Sequence, residues 1–179
     1  MIKRRTLLSA LPLFLVGCAT STLPSGTERF SGHFYLKTFD GKRPDSVQGG
    51  YTLEITEQST RLNLTNPLGG TSARVTIDLQ GATLERGEEK MHAANVAELS
   101  QRLFGFEVPL DMLPDWLRGI PAAGLPSEKI NDDVFTQAHW KIDIRRRHAN
   151  GDPEYVKLDC QRKSLPQIQL LMLVKEHQR

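Results

Sequence analysis

Cysteine is scarce in this chain of 179 residues, since Cys18 and Cys160 are the two present. Two cysteines cannot build the disulfide framework of a small secreted scaffold, so the fold must depend on a hydrophobic core. None of the five histidines stands two to five residues from another histidine or a cysteine, which is the usual zinc-ligand spacing. A glycine-rich phosphate loop and a Gly-x-Ser-x-Gly elbow are missing too. We therefore expect no metal, no cofactor and no enzymatic activity.

Neither sign of charge dominates, because 23 Lys and Arg residues face 21 Asp and Glu residues, a net charge of +2. Three of the basic residues, Lys3, Arg4 and Arg5, precede a short apolar segment. Without them, 20 basic residues remain against 21 acidic ones, a net charge of −1. A near-neutral protein lacks the basic surface that binds nucleic acid, so we exclude nucleic acid as a partner.

Long hydrophobic runs are also missing, since the N-terminal one covers only residues 7–16. A spanning helix needs about 20 apolar residues, whereas a short apolar run after a basic N-terminus is typical of an export signal. A small residue and a cysteine, Gly17-Cys18, follow the run, which is the pattern of a bacterial lipoprotein cleavage site. We predict that residues 1–17 are a removed signal peptide and that Cys18 is acylated. The alternative is a plain secretory peptide with a chance cysteine.

Ala19 follows the predicted lipidation site, where an aspartate would favour retention in the inner membrane. We therefore expect a protein anchored in the outer membrane through Cys18 and facing the periplasm. Residues 18–28 are small, polar and rich in turn formers, and we interpret them as a flexible tether. Fully extended, residues 19–27 reach at most about 30 Å. Residues 29–179 are then a single domain.

From residue 29 onward, apolar residues alternate with polar ones, which predicts antiparallel strands with one apolar face. The last predicted strand, residues 168–175, is apolar on both faces. Turn residues separate the strands. The predicted strands lie around residues 30–36, 51–55, 62–64, 75–79, 82–84, 140–144 and 155–160, and the predicted turns are Asp40-Gly41, Gly49-Gly50, residues 66–70, Gln80-Gly81 and residues 150–153.

Between residues 93 and 117, the spacing of the apolar residues changes from every second residue to that of a helix. Val96, Leu99 and Leu103 recur at helical spacing after a capping Asn95, and a second short helix fits residues 110–117. Two short helices cannot cover a flat sheet of eight to eleven strands. We therefore predict a mainly β fold, a curled antiparallel sheet or incomplete β-barrel with the helices across its mouth. The pattern leaves open whether the interior is filled or hollow.

Leu68 occupies the centre of a turn, where polar residues are usual. Pro67 stiffens the turn and Gly69 permits a sharp return, so the loop either holds Leu68 in solvent or folds it back onto the core. The basic run of residues 145–147 also has two interpretations. It contacts phospholipid head groups or an acidic partner, or it is a solvated sheet edge.

These motifs together resemble the LolB family of outer-membrane lipoproteins. The resemblance extends from about residue 30 to the C-terminus. Tyr51 stands where family members often have Trp, and residues 175–177 stand where they often have a C-terminal Trp. The segments that carry the resemblance are residues 30–34 (FSGHF), 64–69 (LTNPLG), 110–121 (LDMLPDWLRGIP) and 137–142 (QAHWKI).

The resemblance implies that helices cover an apolar cavity inside an incomplete barrel. It also implies a monomeric receptor that accepts acylated lipoproteins from a periplasmic carrier similar to LolA and inserts them into the outer-membrane lipid without nucleotide hydrolysis. Leu68, between Pro67 and Gly69, would protrude and pass cargo to the bilayer. The alternative is a structural envelope lipoprotein with a packed core. The candidate cavity residues are Phe34, Leu36, Tyr51, Leu53, Leu62, Leu64, Val75, Ile77, Leu99, Leu103, Leu113, Trp116, Trp140 and Ile142.

Overall fold

A single antiparallel sheet of eleven strands makes up more than half of the residues that the structure describes. The computed structural model describes residues 24–104, 107–163 and 166–179. The strands follow the order β6-β5-β4-β3-β2-β1-β11-β10-β9-β8-β7, so β6 and β7 are edges and the curled sheet is not closed. This confirms the predicted fold class. The strands are β1 Glu28–Phe39, β2 Pro44–Ile55, β3 Ser59–Thr65, β4 Thr71–Asp78, β5 Gly81–Arg86, β6 Glu89–Ala93, β7 Ser127–Lys129, β8 Val134–Gln137, β9 Trp140–Arg147, β10 Pro153–Cys160 and β11 Gln167–Gln178.

The alternation of apolar residues gives the sheet a buried inner face. One row of directly opposed residues crosses five neighbouring strands, and all of its members are buried. Side chains that lie directly opposite each other on neighbouring strands stabilise a sheet. Here each pair also shields the neighbouring pair from water. The row consists of Phe30, Leu53, Leu62, Val75 and Leu84.

β11 lies in the middle of the sheet, between β1 and β10. Its inward residues Ile168, Met172 and Val174 are buried in the core. Its outward residues Leu171 and Leu173 are half-buried on the convex face. β11 is therefore a central strand, which agrees with the apolar residues that the sequence shows on both of its faces.

The predicted turn at Gly49-Gly50 is wrong, because both glycines lie inside β2. A Cβ atom on Gly49 would stand 2.1 Å from the carbonyl oxygen of Thr65, and one on Gly50 would stand 2.5 Å from the Thr65 Oγ1. The glycines therefore permit the close approach of β3 rather than a change of direction. The alternation also failed to predict the short strands β6, β7 and β8.

Two α-helices and one 3₁₀ turn lie between β6 and β7. The first helix, α1 (Val96–Phe104), starts with a capping arrangement in which the Glu98 N–H donates to Asn95 Oδ1 at 2.8 Å and the Ala94 N–H donates to the Glu98 carboxylate at 2.9 Å. The predicted second helix is a 3₁₀ turn, Leu110–Met112, followed by α2 (Leu113–Arg118). Pro114 occupies the first turn of α2, where proline is tolerated. No helix in the described ranges is long and apolar enough to cross a membrane.

An ionic cluster joins the two ends of the domain to α2. The Glu28 carboxylate, at the start of β1, accepts hydrogen bonds from Arg118 and lies 2.7 Å from His177 Nε2. The other ring nitrogen of His177 lies 2.9 Å from the Asp152 carboxylate. The His177 ring also stacks on Phe30, with 4.0 Å between ring centroids. The cluster therefore ties β1, β11, α2 and the β9–β10 turn together.

The cluster shifts the pKa of both carboxyl groups. Partial burial by itself raises the pKa of Glu28, but the hydrogen bonds and charges of Arg118 and His177 outweigh it, and the pKa lies below its ordinary value. Partial burial also raises the pKa of Asp152, and His177 and Arg179 more than reverse the effect. Because both pKa values are lowered in the folded state, both groups stabilise the fold above their ordinary pKa values. That stability is lost as the pH falls through the folded pKa values.

We expect Glu28→Gln to lower the free energy of unfolding at pH 7, because it removes the negative charge between Arg118 and His177. The variant should also lose less stability than the parent below pH 4.5, the ordinary pKa of a glutamate. Urea denaturation at a series of pH values measures both effects. Glu88→Gln, in the exposed β5–β6 turn, is the matched control. Equal pH dependence in the Glu28→Gln variant and the parent would contradict this account of the cluster.

Candidate functional site

An apolar cavity of about 110 Å³ lies between the inner face of the sheet and the segment that precedes α2. Its wall is entirely apolar. The sheet and the helical segment both contribute to it, so the cavity exists only because the helical segment covers this part of the sheet. It is lined by Phe34, Leu36, Leu62, Leu64, Trp140, Ile168, Leu170 and Met172 from the sheet and by Val108, Leu110 and Leu113 from the helical segment.

The predicted cavity residues divide into a lining group and a core group. Six lie in the cavity wall: Phe34, Leu36, Leu62, Leu64, Leu113 and Trp140. The others pack in or against the adjacent core: Tyr51, Leu53, Val75, Ile77, Leu99, Leu103, Trp116 and Ile142. Whether an acyl chain reaches these residues stays a prediction.

Five lining residues were not among the predicted ones. Residues 168, 170 and 172 alternate on one face of β11, and this alternation was a signal that would have found them. Leu110 was placed on a helix face, and Val108 lies in irregular structure that carries no periodic signal. The five residues are Val108, Leu110, Ile168, Leu170 and Met172.

The cavity is small for a ligand site. Pockets for small molecules usually measure about 300–1,000 Å³. A dry cavity of about 150 Å³ is enough for one benzene molecule. At about 110 Å³, the interior of this structure is therefore mostly filled by side chains and accommodates only a short piece of hydrocarbon.

Buried hydrogen bonds fix α2 to the sheet. Trp116 Nε1 donates to Gln137 Oε1 at 2.9 Å, and Gln137 Nε2 donates to the carbonyl oxygens of Ala122 and Leu125 at 2.8 and 3.1 Å. Gln137 is only 2% exposed. Because a buried polar group is costly without a partner, these bonds hold α2 and the loop after it in one position.

The segment of residues 107–112, which we call the roof segment, has different attachments. The Val108 N–H donates to Ser100 Oγ at 3.0 Å. The Glu107 carboxylate pairs with the Arg162 guanidinium at 2.9 Å, and Arg162 follows the end of β10. This ion pair is exposed to solvent, and exposed pairs contribute only about 0–1 kcal/mol. The roof segment is therefore attached less firmly than α2.

Leu68 stands at the centre of a tight five-residue loop, residues 66–70, between β3 and β4. The Asn66 N–H donates to the Gly70 carbonyl oxygen at 2.9 Å, which closes the loop. The Asn66 Oδ1 accepts hydrogen bonds from the backbone N–H groups of Leu68 and Gly70 at 2.9 and 3.1 Å. Gly69 has a φ of +89°, which favours glycine there. The loop is thus well ordered by its own bonds, and it leaves the Leu68 side chain 96% exposed.

Each arginine of residues 145–147 pairs with a carboxylate, which lies on the same strand for Arg145, on the neighbouring β10 for Arg146 and in the loop before β8 for Arg147. These exposed, paired charges favour solvated side chains over a basic binding patch, but β9 lies between β8 and β10 and is not an edge strand. The pairs are Arg145 with Asp143 at 2.7 Å, Arg146 with Glu154 at 2.7 Å and Arg147 with Asp133 at 2.9 Å.

Some of the other predicted features lie in segments that the structure does not describe. The signal peptide of residues 1–17, the lipidation site Cys18 and its neighbour Ala19 lie outside the described residues. So does Gly105, where a glycine predicts the end of the helix that starts after Asn95. Within the part of the chain that the structure describes, no three His, Cys, Asp or Glu side chains are grouped so as to hold a metal ion.

Comparison with known proteins agrees with this architecture. Residues 29–175 match the family model described as outer membrane lipoprotein LolB. The outer-membrane lipoprotein LolB of Cupriavidus metallidurans is 32% identical over 147 residues, covering 74% of this chain and 72% of the relative. The LolB of Bordetella petrii is 34% identical over 161 residues (83% and 81%), and that of Chromobacterium violaceum is 30% identical over 172 residues (90% and 93%). The chain therefore belongs to the LolB family of outer-membrane lipoproteins.

Proposed function

We propose that this protein is a lipoprotein receptor of the outer membrane. It accepts acylated lipoproteins from a soluble periplasmic carrier similar to LolA, covers their acyl chains in its apolar cavity and inserts them into the membrane. Its own acylated Cys18 anchors it on the periplasmic side. The observation that carries the proposal is an entirely apolar cavity covered by a weakly attached roof segment.

The apolar wall suits the energetics of the cargo. Each buried methylene group contributes about 0.8 kcal/mol, so one acyl chain of about 16 carbons gains about 12 kcal/mol when it leaves water. A lipoprotein with three such chains would gain about 36 kcal/mol, which makes passage through water without a carrier very slow. A receptor must therefore offer a surface with no polar groups, and the cavity wall meets this requirement.

The cavity has to enlarge before it takes a whole chain. Its volume of about 110 Å³ is well below that of an ordinary ligand pocket. Outward movement of the roof segment would uncover the apolar residues beneath it, while the buried bonds of Trp116 and Gln137 keep α2 in place. We infer that opening breaks the ion pair between Glu107 and Arg162, which joins the roof segment to the chain after β10.

Transfer without nucleotide hydrolysis has to run downhill in free energy. The receptor cavity must therefore bind acyl chains more tightly than the carrier does and less tightly than the bilayer does. A cavity that opens only at some cost meets the second condition, because that cost reduces its net affinity for the chain.

The loop of Leu68 provides a contact with the bilayer. Glu28 and Thr60 lie in the same row of the sheet, and five further residues of β3, about 17 Å, separate this row from the loop. The tether of residues 19–27 extends to about 30 Å, so the loop can reach the membrane that holds Cys18. Burying one leucine contributes about 2 kcal/mol, enough for a transient contact but not for anchoring.

A structural envelope lipoprotein with a packed core is the second candidate, and the small cavity volume favours it. The test uses the mature chain with Cys18→Ala, which removes the acylation site, and a fluorescent fatty acid. The receptor proposal expects saturable binding that a long-chain fatty acid displaces. Absence of saturable binding would support the structural function instead.

We expect Leu68→Glu to leave the fold and acyl-chain binding intact but to prevent release of cargo into liposomes, because a carboxylate does not enter the hydrocarbon. Transfer of a labelled lipoprotein from a loaded carrier to liposomes measures the effect, which should exceed tenfold. Leu79→Glu is the matched control, since Leu79 is 100% exposed at the β4–β5 turn, at the other end of the sheet. Parental transfer rates in the Leu68→Glu variant would refute the function of the loop.

We expect Glu107→Lys to speed uptake of the fluorescent fatty acid by up to about fivefold, the factor that corresponds to an exposed ion pair of at most about 1 kcal/mol. The double variant Glu107→Lys with Arg162→Glu restores an ion pair and should return uptake to the parental rate. Stopped-flow fluorescence measures both rates. Arg86→Glu, which breaks an exposed pair with Glu89 in the β5–β6 turn, is the control. Equal rates in the single and double variants would show that the pair does not hold the roof segment.

A further inference from the structure

Part of β2 has a neighbouring strand on one side only. β2 pairs with β1 along its whole length, whereas its pairing with β3 reaches only as far as Gly50, opposite Thr65. Residues 44–48 are all exposed. In the described ranges, no strand pairs with the second edge of this segment. We call residues 44–48 the open edge.

The hydrogen-bond pattern of β2 shows which residues direct their backbone groups into the open edge. Just beyond the other end of β2, the Thr56 N–H donates to the Ser59 carbonyl oxygen at 2.9 Å, across the turn into β3. Backbone groups of successive residues in an antiparallel strand point to alternate sides, and neither pairing of β2 contains a register shift. The even-numbered residues of β2 therefore face the side of β3, and Ser46 and Gln48 direct their N–H and C=O groups into the open edge.

Two local features agree with this assignment. Pro44, which has no N–H, stands at an even position, where the missing donor costs no bond in the sheet. The Ser46 N–H donates to Asp45 Oδ1 at 2.8 Å, so a side chain takes the place of a strand partner. The Gln48 N–H has no such partner among the described residues. This donor and the carbonyl oxygens of Ser46 and Gln48 are therefore available to an added strand.

The open edge adjoins both the apolar cavity and the loop of Leu68. Gln48 lines a groove of about 340 Å³ that residues of this loop also line. Phe34 lines both the groove and the cavity. On the inner face, Val47 lies opposite the cavity residue Leu36 and is 54% exposed. An apolar surface thus continues from the cavity wall to the open edge.

A cargo lipoprotein brings an extended peptide to this place. Its polypeptide continues directly from the acylated cysteine, as the predicted tether of residues 19–27 does in this chain. When the acyl chains occupy the cavity, this linker has to leave along the rim. A peptide that adds a strand to a free sheet edge is held through its backbone, so much of its affinity does not depend on its side chains. Such pairing suits a receptor whose cargo proteins differ in sequence.

We propose that the open edge binds the linker of a cargo lipoprotein as an added strand, which pairs with Ser46 and Gln48 while the acyl chains lie in the cavity. The linker then runs through the groove beside the loop of Leu68. The acylated cysteine is thereby held at the rim, next to the loop that contacts the bilayer. This inference rests on the proposed function and adds a binding site for the peptide part of the cargo.

The test compares two probes on the mature chain with Cys18→Ala, by displacement of a fluorescent fatty acid. One probe is an N-palmitoylated pentapeptide of glycine and serine, and the other is the same compound with N-methylated peptide bonds, which donate no hydrogen bonds. We expect the parent to bind the first probe about 2- to 10-fold more tightly, the factor that corresponds to one net hydrogen bond. Gln48→Pro removes the free N–H and should abolish this preference. Gln48→Ala, which keeps the N–H, is the matched control and should retain it.

The outcomes separate this inference from the proposed function. If the parent binds palmitate but binds both peptide probes equally, the inference is overturned and the receptor function stands. This comparison of probes needs no variant, so it decides the matter even where Gln48→Pro fails to fold. A folded Gln48→Pro variant with the parental preference would also overturn the inference. Sedimentation that shows a dimer of the parent, lost in Gln48→Pro, would assign the open edge to a second copy of the chain instead. Failure of the parent to bind palmitate would overturn the proposed function.

Discussion

The fold depends on one constraint: an apolar sheet face that the sheet itself does not fully enclose. A closed barrel pairs its first and last strands, whereas here β6 and β7 remain edges. In one part of the inner face, the curl of the sheet itself buries the row of residues from Phe30 to Leu84. The rest needs α1, α2 and the roof segment. The cavity forms where this second covering meets the sheet, so it is a consequence of incomplete closure.

The covering is attached in two ways, and the difference fits a site that has to open. α2 is held by a buried amide, Gln137, and by the ionic cluster at Glu28, both of which are costly to break. In the described residues, the attachments of the roof segment are apolar contacts, a hydrogen bond to Ser100 and a solvent-exposed ion pair. Local opening therefore costs least at residues 107–112, directly above the apolar wall. A rigid helix next to a weakly attached segment allows the mouth to move without loss of the core.

Period-two alternation was enough to predict the sheet and its inner face, and helical spacing after Asn95 was enough to predict the capped start of α1. It failed where local composition and long-range packing disagree. Gly49-Gly50 has the composition of a turn, but the reason for these glycines is the close approach of Thr65, which is distant in the chain. β6, β7 and β8 have only three to five residues each, too few for a period to show. Cavity volume depends on how Phe34, Leu110 and Met172 interdigitate, which no periodic pattern contains.

If the protein has the proposed function, the magnitudes indicate how one small loop would serve the transfer of an acyl chain between strong binding sites. Each acyl chain gains about 12 kcal/mol in any apolar environment. The free energy of the chain therefore differs between the carrier, the receptor and the bilayer by much less than this shared gain. The contribution of Leu68, about 2 kcal/mol, is too small to change where the chain ends at equilibrium, because the bilayer takes the whole chain. It is large enough to extend the time for which the loop touches the membrane, about thirtyfold at this energy. Under the proposed function, an exposed leucine on a rigid turn would therefore act on the rate of transfer, while the apolar wall and the cost of opening the roof segment would determine its direction.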